Sequence, residues 1–426
     1  MQTDPLAVSA PANNTHWPSV WQFGLSLFGI LALWGIAAAM LLSFVNSALN
    51  GDSLGALTVL LNSTGIAFAG LLLIPSTGYA LFRLMGKPAT FKIRRRYLQW
   101  GILALPPVLI LGYLATLSVA TSYLFLPVLH ILATVLSVGW LLSLGLRGLS
   151  AGSPQLSWGI FNSGLVGTPL LSLVTELAAL LVLGVLGVIY LSQDPALIES
   201  LYELSQTLPA NAPERALELL QPYLGPGTLY IALFFGALLV PILEEMFKPI
   251  GVWLLVGRHP SPSQGFAAGL LSGAGYALFE NFLLGASAGQ DWAMVVVARM
   301  GTSLIHITTT GLMGWALALA WSEKRYLRLV FIYFVAIAIH GAWNGTVILT
   351  AVSGLFADAV AIPDFLVVLG NAAPAIFALV ILGCLLLLFG FNAALRRTQP
   401  SPVGDVIIPP ASPSPAAEIL SEKDPI

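Results

Sequence analysis

A single cysteine, Cys384, stands in the whole chain, inside an apolar run, so neither a disulfide framework nor a thiolate metal site can be built. Charge is scarce as well. Only 8% of the residues are Asp, Glu, Lys or Arg, where a globular chain carries about 25%, and 57% are hydrophobic. Such a chain cannot clothe a soluble surface, and a mean hydropathy of +0.89 describes a polytopic membrane protein. A formal net charge of -2 without a basic patch excludes a nucleic-acid footprint. No Lys or Arg precedes Arg83, so the polar N-terminus does not read as a signal peptide with a basic leader. Also missing are HExxH, a serine nucleophile elbow and a Gly-rich phosphate loop, which removes the simplest zinc-protease, serine-hydrolase and nucleotide-binding readings.

What is there is a succession of apolar runs, each near the ~20 residues that cross a bilayer. They predict an all-α polytopic membrane helix bundle of about ten transmembrane helices, over 18–45, 55–82, 98–118, 124–146, 160–192, 228–257, 264–286, 292–321, 329–352 and 365–391. The fifth is long, and Gly167-Thr168-Pro169 marks a place to tilt or break it. The organisation that follows is a flexible leader over 1–17, a five-helix membrane region over 18–192, an external loop over 193–226, a second membrane region over 227–391 and a disordered Pro/Ser-rich tail over 392–426. Within the external loop, Leu197, Leu201, Leu204 and then Ala216, Leu219, Leu220 repeat at helical spacing, predicting two short interfacial helices. Arg83, Lys87, Arg147, Arg258, Lys324 and Arg396 fall on one side of the alternating spans, and Arg215 alone on the other, which places both termini in the cytoplasm.

The polar residues are concentrated in the second region. Pro241-Ile242-Leu243-Glu244-Glu245-Met246-Phe247-Lys248 sets three charges in a run otherwise apolar from Leu229 to Val256, and a charge at bilayer depth costs roughly 2.5–3.5 kcal/mol. Glu244 and Lys248 share a helix face; Glu245 points about 100° away. Three later helices add Glu280 and Asn281, then Arg299 and His306, then His340 and Asn344. This convergence suits water activation: a glutamate takes a proton from water, a histidine or second glutamate returns one, and a His or Asn donates to the oxyanion. Glu and His can also ligate zinc, but the two histidines lie on different helices and no metal or other cofactor is expected. Arg299 has an alternative use as the partner of Glu280. Thr308, Thr309 and Thr310 are expected to bond between helices, Gly269, Gly273 and Gly275 to allow close helix approach, and Glu176 and His130 to be structural.

Taken in order, Glu244-Glu245-Met246-Phe247-Lys248, Gly275-Tyr276-Ala277-Leu278-Phe279-Glu280-Asn281, His306 with Thr310-Gly311, and His340-Gly341-Ala342-Trp343-Asn344 resemble the PrsW family of intramembrane proteases. That family is related to the CAAX prenyl endopeptidases and to the scaffold subunit of gamma-secretase. The likeness spans about 228–350. It implies a metal-independent, glutamic-type endopeptidase of a bacterial plasma membrane, whose partners are the lipid bilayer and a membrane-anchored, anti-sigma-factor-like protein substrate. Glu244 and Glu245 would be the essential carboxylates, Glu280 the acid of the second motif, His306 and His340 the catalytic histidines and Asn344 an oxyanion donor, with Lys248, Asn281 and Arg299 in support. Tyr276 stands where the family favours Phe, a change expected to affect packing more than chemistry. Two other readings use the same polar residues: a proton-coupled transporter, against which the lack of an internal repeat argues, and a non-catalytic scaffold. On the protease reading the sixth to ninth helices surround a water-accessible cavity.

Overall fold

Proline and glycine punctuate the apolar runs, and the helices break where these residues remove a backbone hydrogen bond or admit an extra residue into a turn. The structure, a computed structural model, describes residues 16–87, 96–191, 199, 202, 206, 226–285, 289–356 and 363–398. The expected interfacial helices of 193–226 lie outside the described residues but for three isolated helical positions, as do the leader before His16 and the tail beyond Thr398. Among the described residues the regular structure is entirely helical.

Among the described residues, eight helices are long and apolar enough to cross a membrane: Trp17–Leu49, Ser53–Leu84, Val119–Gly145, Pro154–Ile189, Leu229–Trp253, Trp292–Glu323, Tyr326–Ala351 and Ala373–Arg397. The remaining two expected spans differ for separate reasons. Gly101–Ala115 has 15 residues, about 22 Å at the helical rise, short of a ~30 Å hydrocarbon core. Pro262–Leu284 is not apolar enough because it carries Gly265, Gly269, Gly273, Gly275, Glu280 and Asn281; it avoids lipid by lying inside the bundle. The last helix runs on to Arg397, past the expected boundary at 392, because the Asn392 amide donates to the carbonyls of Gly145 at 2.7 Å and Arg147 at 2.9 Å.

For the argument below the helices are α1 (Trp17–Leu49), α2 (Ser53–Leu71), α3 (Ile74–Leu84), α4 (Gly101–Ala115), α5 (Val119–Gly145), α6 (Pro154–Asn162), α7 (Thr168–Leu191), α8 (Pro226–Leu233), α9 (Val240–Phe247), α10 (Ile250–Trp253), α11 (Pro262–Leu284), α12 (Trp292–Glu323) and α13 (Tyr326–Phe356). The expected break in the fifth span is a π-helical turn, Ser163–Gly167, between α6 and α7, and a second π turn, Phe234–Leu239, joins α8 to α9. Such turns rotate everything beyond them, and both stand beside the polar residues.

Helix α11 is the axis of the bundle. A capping box between Ser261 and Gln264, with Pro262 in the first turn, starts it cleanly. Its glycines then remove side chains on two faces. Gly265, Gly269 and Gly273 lie directly against the α12 backbone at Gly314, Thr310 and His306, and Gly275 lies against Phe161 and Leu165 on the opposite side. The expected close approach at Gly269, Gly273 and Gly275 is what the structure shows. The threonines behave differently from expectation: Thr309 Oγ1 donates to its own helix at Ile305 O, 3.0 Å away, while Thr308 and Thr310 hydroxyls have no partner among the described residues. Backbones this close leave the hydroxyls no room to bridge, and the Thr310 side chain packs against Gly273 instead. Substituting Gly269 by Leu is expected to destabilise the protein by on the order of 3 kcal/mol, since neither backbone can yield. A thermal melt in detergent reads this, with Gly35→Leu, which meets nothing, as the unchanged control.

Candidate active site

The local chain around Lys248 explains the geometry of the whole cluster. Pro249 supplies no N–H, so α9 stops at Phe247, and the carbonyls left behind are taken up by side chains: Ser272 Oγ donates to Lys248 O at 2.5 Å and Thr168 Oγ1 to Phe247 O at 3.2 Å. Pinned at both carbonyls, this end of the helix turns the Lys248 side chain into the centre of the bundle, where it is fully buried. Its ammonium lies 2.7 Å from Glu245 Oε1, 2.8 Å from His306 Nδ1, 3.0 Å from Glu244 Oε2 and 3.2 Å from His340 Nδ1. Its position 4.9 Å over the Tyr276 ring adds a cation–π contact.

The ammonium donates to Glu245 Oε1 and His306 Nδ1 and forms an ion pair with Glu244. His306 Nδ1 is then an acceptor, so its proton sits on Nε2, which donates to Glu280 Oε2 at 2.5 Å. His340 is left free to hold the opposite tautomer: Nδ1–H donates to Glu245 Oε1 at 3.0 Å, and the Nε2 lone pair looks toward Glu244 Oε2 across 3.8 Å. Behind His306, Arg299 pairs with Glu280 at 3.0 Å and donates from Nε to Asn281 Oδ1 at 2.9 Å, while Asn281 donates to Ser303 Oγ at 2.8 Å. The alternative use of Arg299 as the partner of Glu280 is therefore realised.

Glu244, Glu245, Lys248, Glu280, His306 and His340 thus form one connected network, buttressed by Arg299 and Asn281. Asn344 stands apart. Its amide donates to Gly236 O at 3.0 Å, within the π turn Phe234–Leu239 rather than within the network. The polar groups close on one another instead of lining an open cavity; Glu280, with 16% of its side chain exposed, is the most open member, followed by Glu244 at 6%, against 0% for Glu245, Lys248 and His306.

Two residues weighed lightly in the sequence belong to this neighbourhood. Tyr276 packs edge-on to His306, 5.1 Å between centroids, and its ring lies under the Lys248 ammonium, so the change from Phe stands against the polar network as well as the packing. Glu176 on α7, read as structural, lies within electrostatic reach of Glu244, Glu280 and Lys248, and its buried Oε1 has no hydrogen-bond partner. A carboxylate alone in an apolar run was the available signal.

Glu244, His306 and His340 also offer one donor atom each within 4.8 Å of one another, the residue types of a catalytic zinc set. In chemical terms the site combines a carboxylate at the edge of the buried network, an imidazole lone pair facing it and a buried cation behind both. That is the equipment for moving a proton off water. No curated protein and no solved structure matches the chain. A family model described as PrsW family intramembrane metalloprotease matches residues 177–371, and over that stretch the chain is similar to the PrsW family of intramembrane proteases.

Proposed function

We propose that this membrane protease is of the glutamic type, with Glu244 activating water against peptide bonds of membrane-anchored protein substrates. The observation that carries the reading is the asymmetry of the paired carboxylates. Glu244 is 6% exposed and faces the His340 Nε2 lone pair, whereas Glu245 is sealed and engaged by Lys248 and His340. A water about 2.8 Å from both Glu244 Oε2 and His340 Nε2 fits the apex of their gap. As its oxygen attacks the carbonyl carbon, its proton passes to Glu244. The carboxyl becomes neutral, so the Lys248 charge it had offset becomes available to the oxyanion forming nearby. Collapse breaks the C–N bond, and the proton held by Glu244 leaves on the amine. His306, Glu280 and Arg299 hold Lys248 in place through the chain of bonds described above.

The family description implies a metal ion, and the arrangement of donors argues against one here. Tetrahedral zinc ligands about 2.1 Å from the ion lie roughly 3.4 Å apart, closer than the Glu244, His306 and His340 donors need be at 4.8 Å. More decisively, the Lys248 ammonium already lies within 3.2 Å of all three residues, so an ion bound by them would abut a buried cation. The set does not fit a metal while Lys248 is in place. Cleavage of single-span, anti-sigma-factor-like substrates by purified protein is expected to be unchanged by strong zinc chelators; loss of cleavage restored by added zinc would overturn the glutamic mechanism.

Arg83, Lys87 and Arg258 gather with the start of α1 at one end of the bundle, and Arg396, at the end of the last helix, packs on Gly148 near the same end. By the positive-inside rule this end faces the cytoplasm, giving an integral protein of a bacterial plasma membrane with both termini inside.

A further inference from the structure

A cavity of about 700 Å³ opens at the basic end of the bundle and shares no residue with the catalytic network. It lies where α1 and α6 begin, where α3 ends and where the chain leaves α10, so its depth is that of helix ends, at the level of lipid headgroups. Arg83, Lys87 and Arg258 line it, and no Asp or Glu does. None of the three cations has an ion-pair partner among the described residues. Three like charges held around one space repel, and that repulsion is relieved by an anion placed among them.

The inner wall is polar and held rigid by bonds among its own side chains. Gln22 Nε2 donates to Ser76 Oγ at 3.0 Å, Gln155 Nε2 donates to Gln22 Oε1 at 3.1 Å, and buried Asn162 donates to Ser26 Oγ at 2.7 Å. These bonds tie α1, α3 and α6 together and fix the amides facing the cavity. Toward the membrane the wall is apolar, with Trp21 and Leu25 of α1 both exposed. Three cations on a rigid polar wall and an apolar open side match a ligand with an anionic head and acyl chains.

We propose that this cavity binds the phosphate headgroup of an anionic membrane lipid, with Arg83, Lys87 and Arg258 on the phosphate and Trp21 and Leu25 along the chains. Basic pockets between transmembrane helices recognise such headgroups, and each Lys or Arg near the phosphate is worth roughly fivefold in affinity. The test uses the full chain, purified and stripped of lipid in detergent, titrated with phosphatidylglycerol, phosphatidylcholine and inorganic phosphate. Phosphatidylglycerol is expected to bind stoichiometrically, and Arg83→Gln with Arg258→Gln to weaken it about 25-fold. The control pair Lys324→Gln with Arg397→Gln, outside the cavity, should leave it unchanged. If the double variant does not fold, Lys87→Gln alone carries the test with an expected fivefold loss. Equal affinity for phosphatidylcholine, or an equal loss in the control pair, would overturn the site. Inorganic phosphate binding as tightly as the lipid would overturn the lipid assignment and leave a free-phosphate site.

Discussion

Replacing Glu244 with Gln is expected to lower peptide-bond cleavage by about three orders of magnitude or more while the protein stays folded. The amide keeps the shape of the carboxylate and can still accept from Lys248, which lies 3.0 Å away, so the packing around α9 survives. What is lost is the capacity to take a proton from water, and His340 Nε2 alone is not aligned to replace it because its other nitrogen is committed to Glu245. The contrasting variant is Glu245→Gln. Glu245 is fully buried and accepts from Lys248 at 2.7 Å and from His340 at 3.0 Å, so neutralising it withdraws the nearer counter-charge of Lys248 and is expected to show first as lost thermal stability. Activity should fall in both variants, but only Glu244→Gln should combine near-complete inactivity with a near-native melting temperature. If a folded Glu244→Gln protein cuts single-span substrates at more than a tenth of the wild-type rate, Glu244 is not the base. An inactive, fully stable Glu245→Gln protein would exchange the two roles.

The separation of these roles could not be read from spacing. Residues four apart share a helix face, which placed Glu244 with Lys248 and His340 with Asn344 correctly as far as one helix goes. Which groups meet between helices depends on how each helix is rotated, and the π turns Ser163–Gly167 and Phe234–Leu239 reset that rotation. The second of these exposes the Gly236 carbonyl that captures Asn344, so a residue grouped with the network by spacing is bonded elsewhere. Position in the bundle was equally hidden for α11. Hydropathy marks what faces lipid, and a glycine-rich helix packed against other backbones is mildly polar yet buried from Gly265 to Leu278. By contrast, the charges at Glu244, Glu245, Lys248, Glu280 and the two histidines were legible because ionisable groups within apolar runs have so few other uses. The same reasoning, applied without discount to Glu176, would have placed it near the site as well.

Lys248→Met should be the most damaging change to stability in the network, at about 3–5 kcal/mol, the range found when one partner of a buried ion pair is removed. The ammonium holds Glu244, Glu245, His306 and His340 together from one atom, and its side chain has no exposure through which water could take its place. Methionine fills most of the volume, so the loss is electrostatic more than steric. The double variant Glu245→Gln with Lys248→Met removes the stranded charge along with its partner and is therefore expected to regain much of the lost melting temperature. It should remain inactive, because the positive charge that compensates the oxyanion is gone as well. The cycle of single and double variants, melted in detergent, measures this coupling directly. A Lys248→Met protein as stable as wild type would mean that the carboxylates do not depend on the ammonium, and with it would fall the argument that a fixed cation occupies the place of a metal ion.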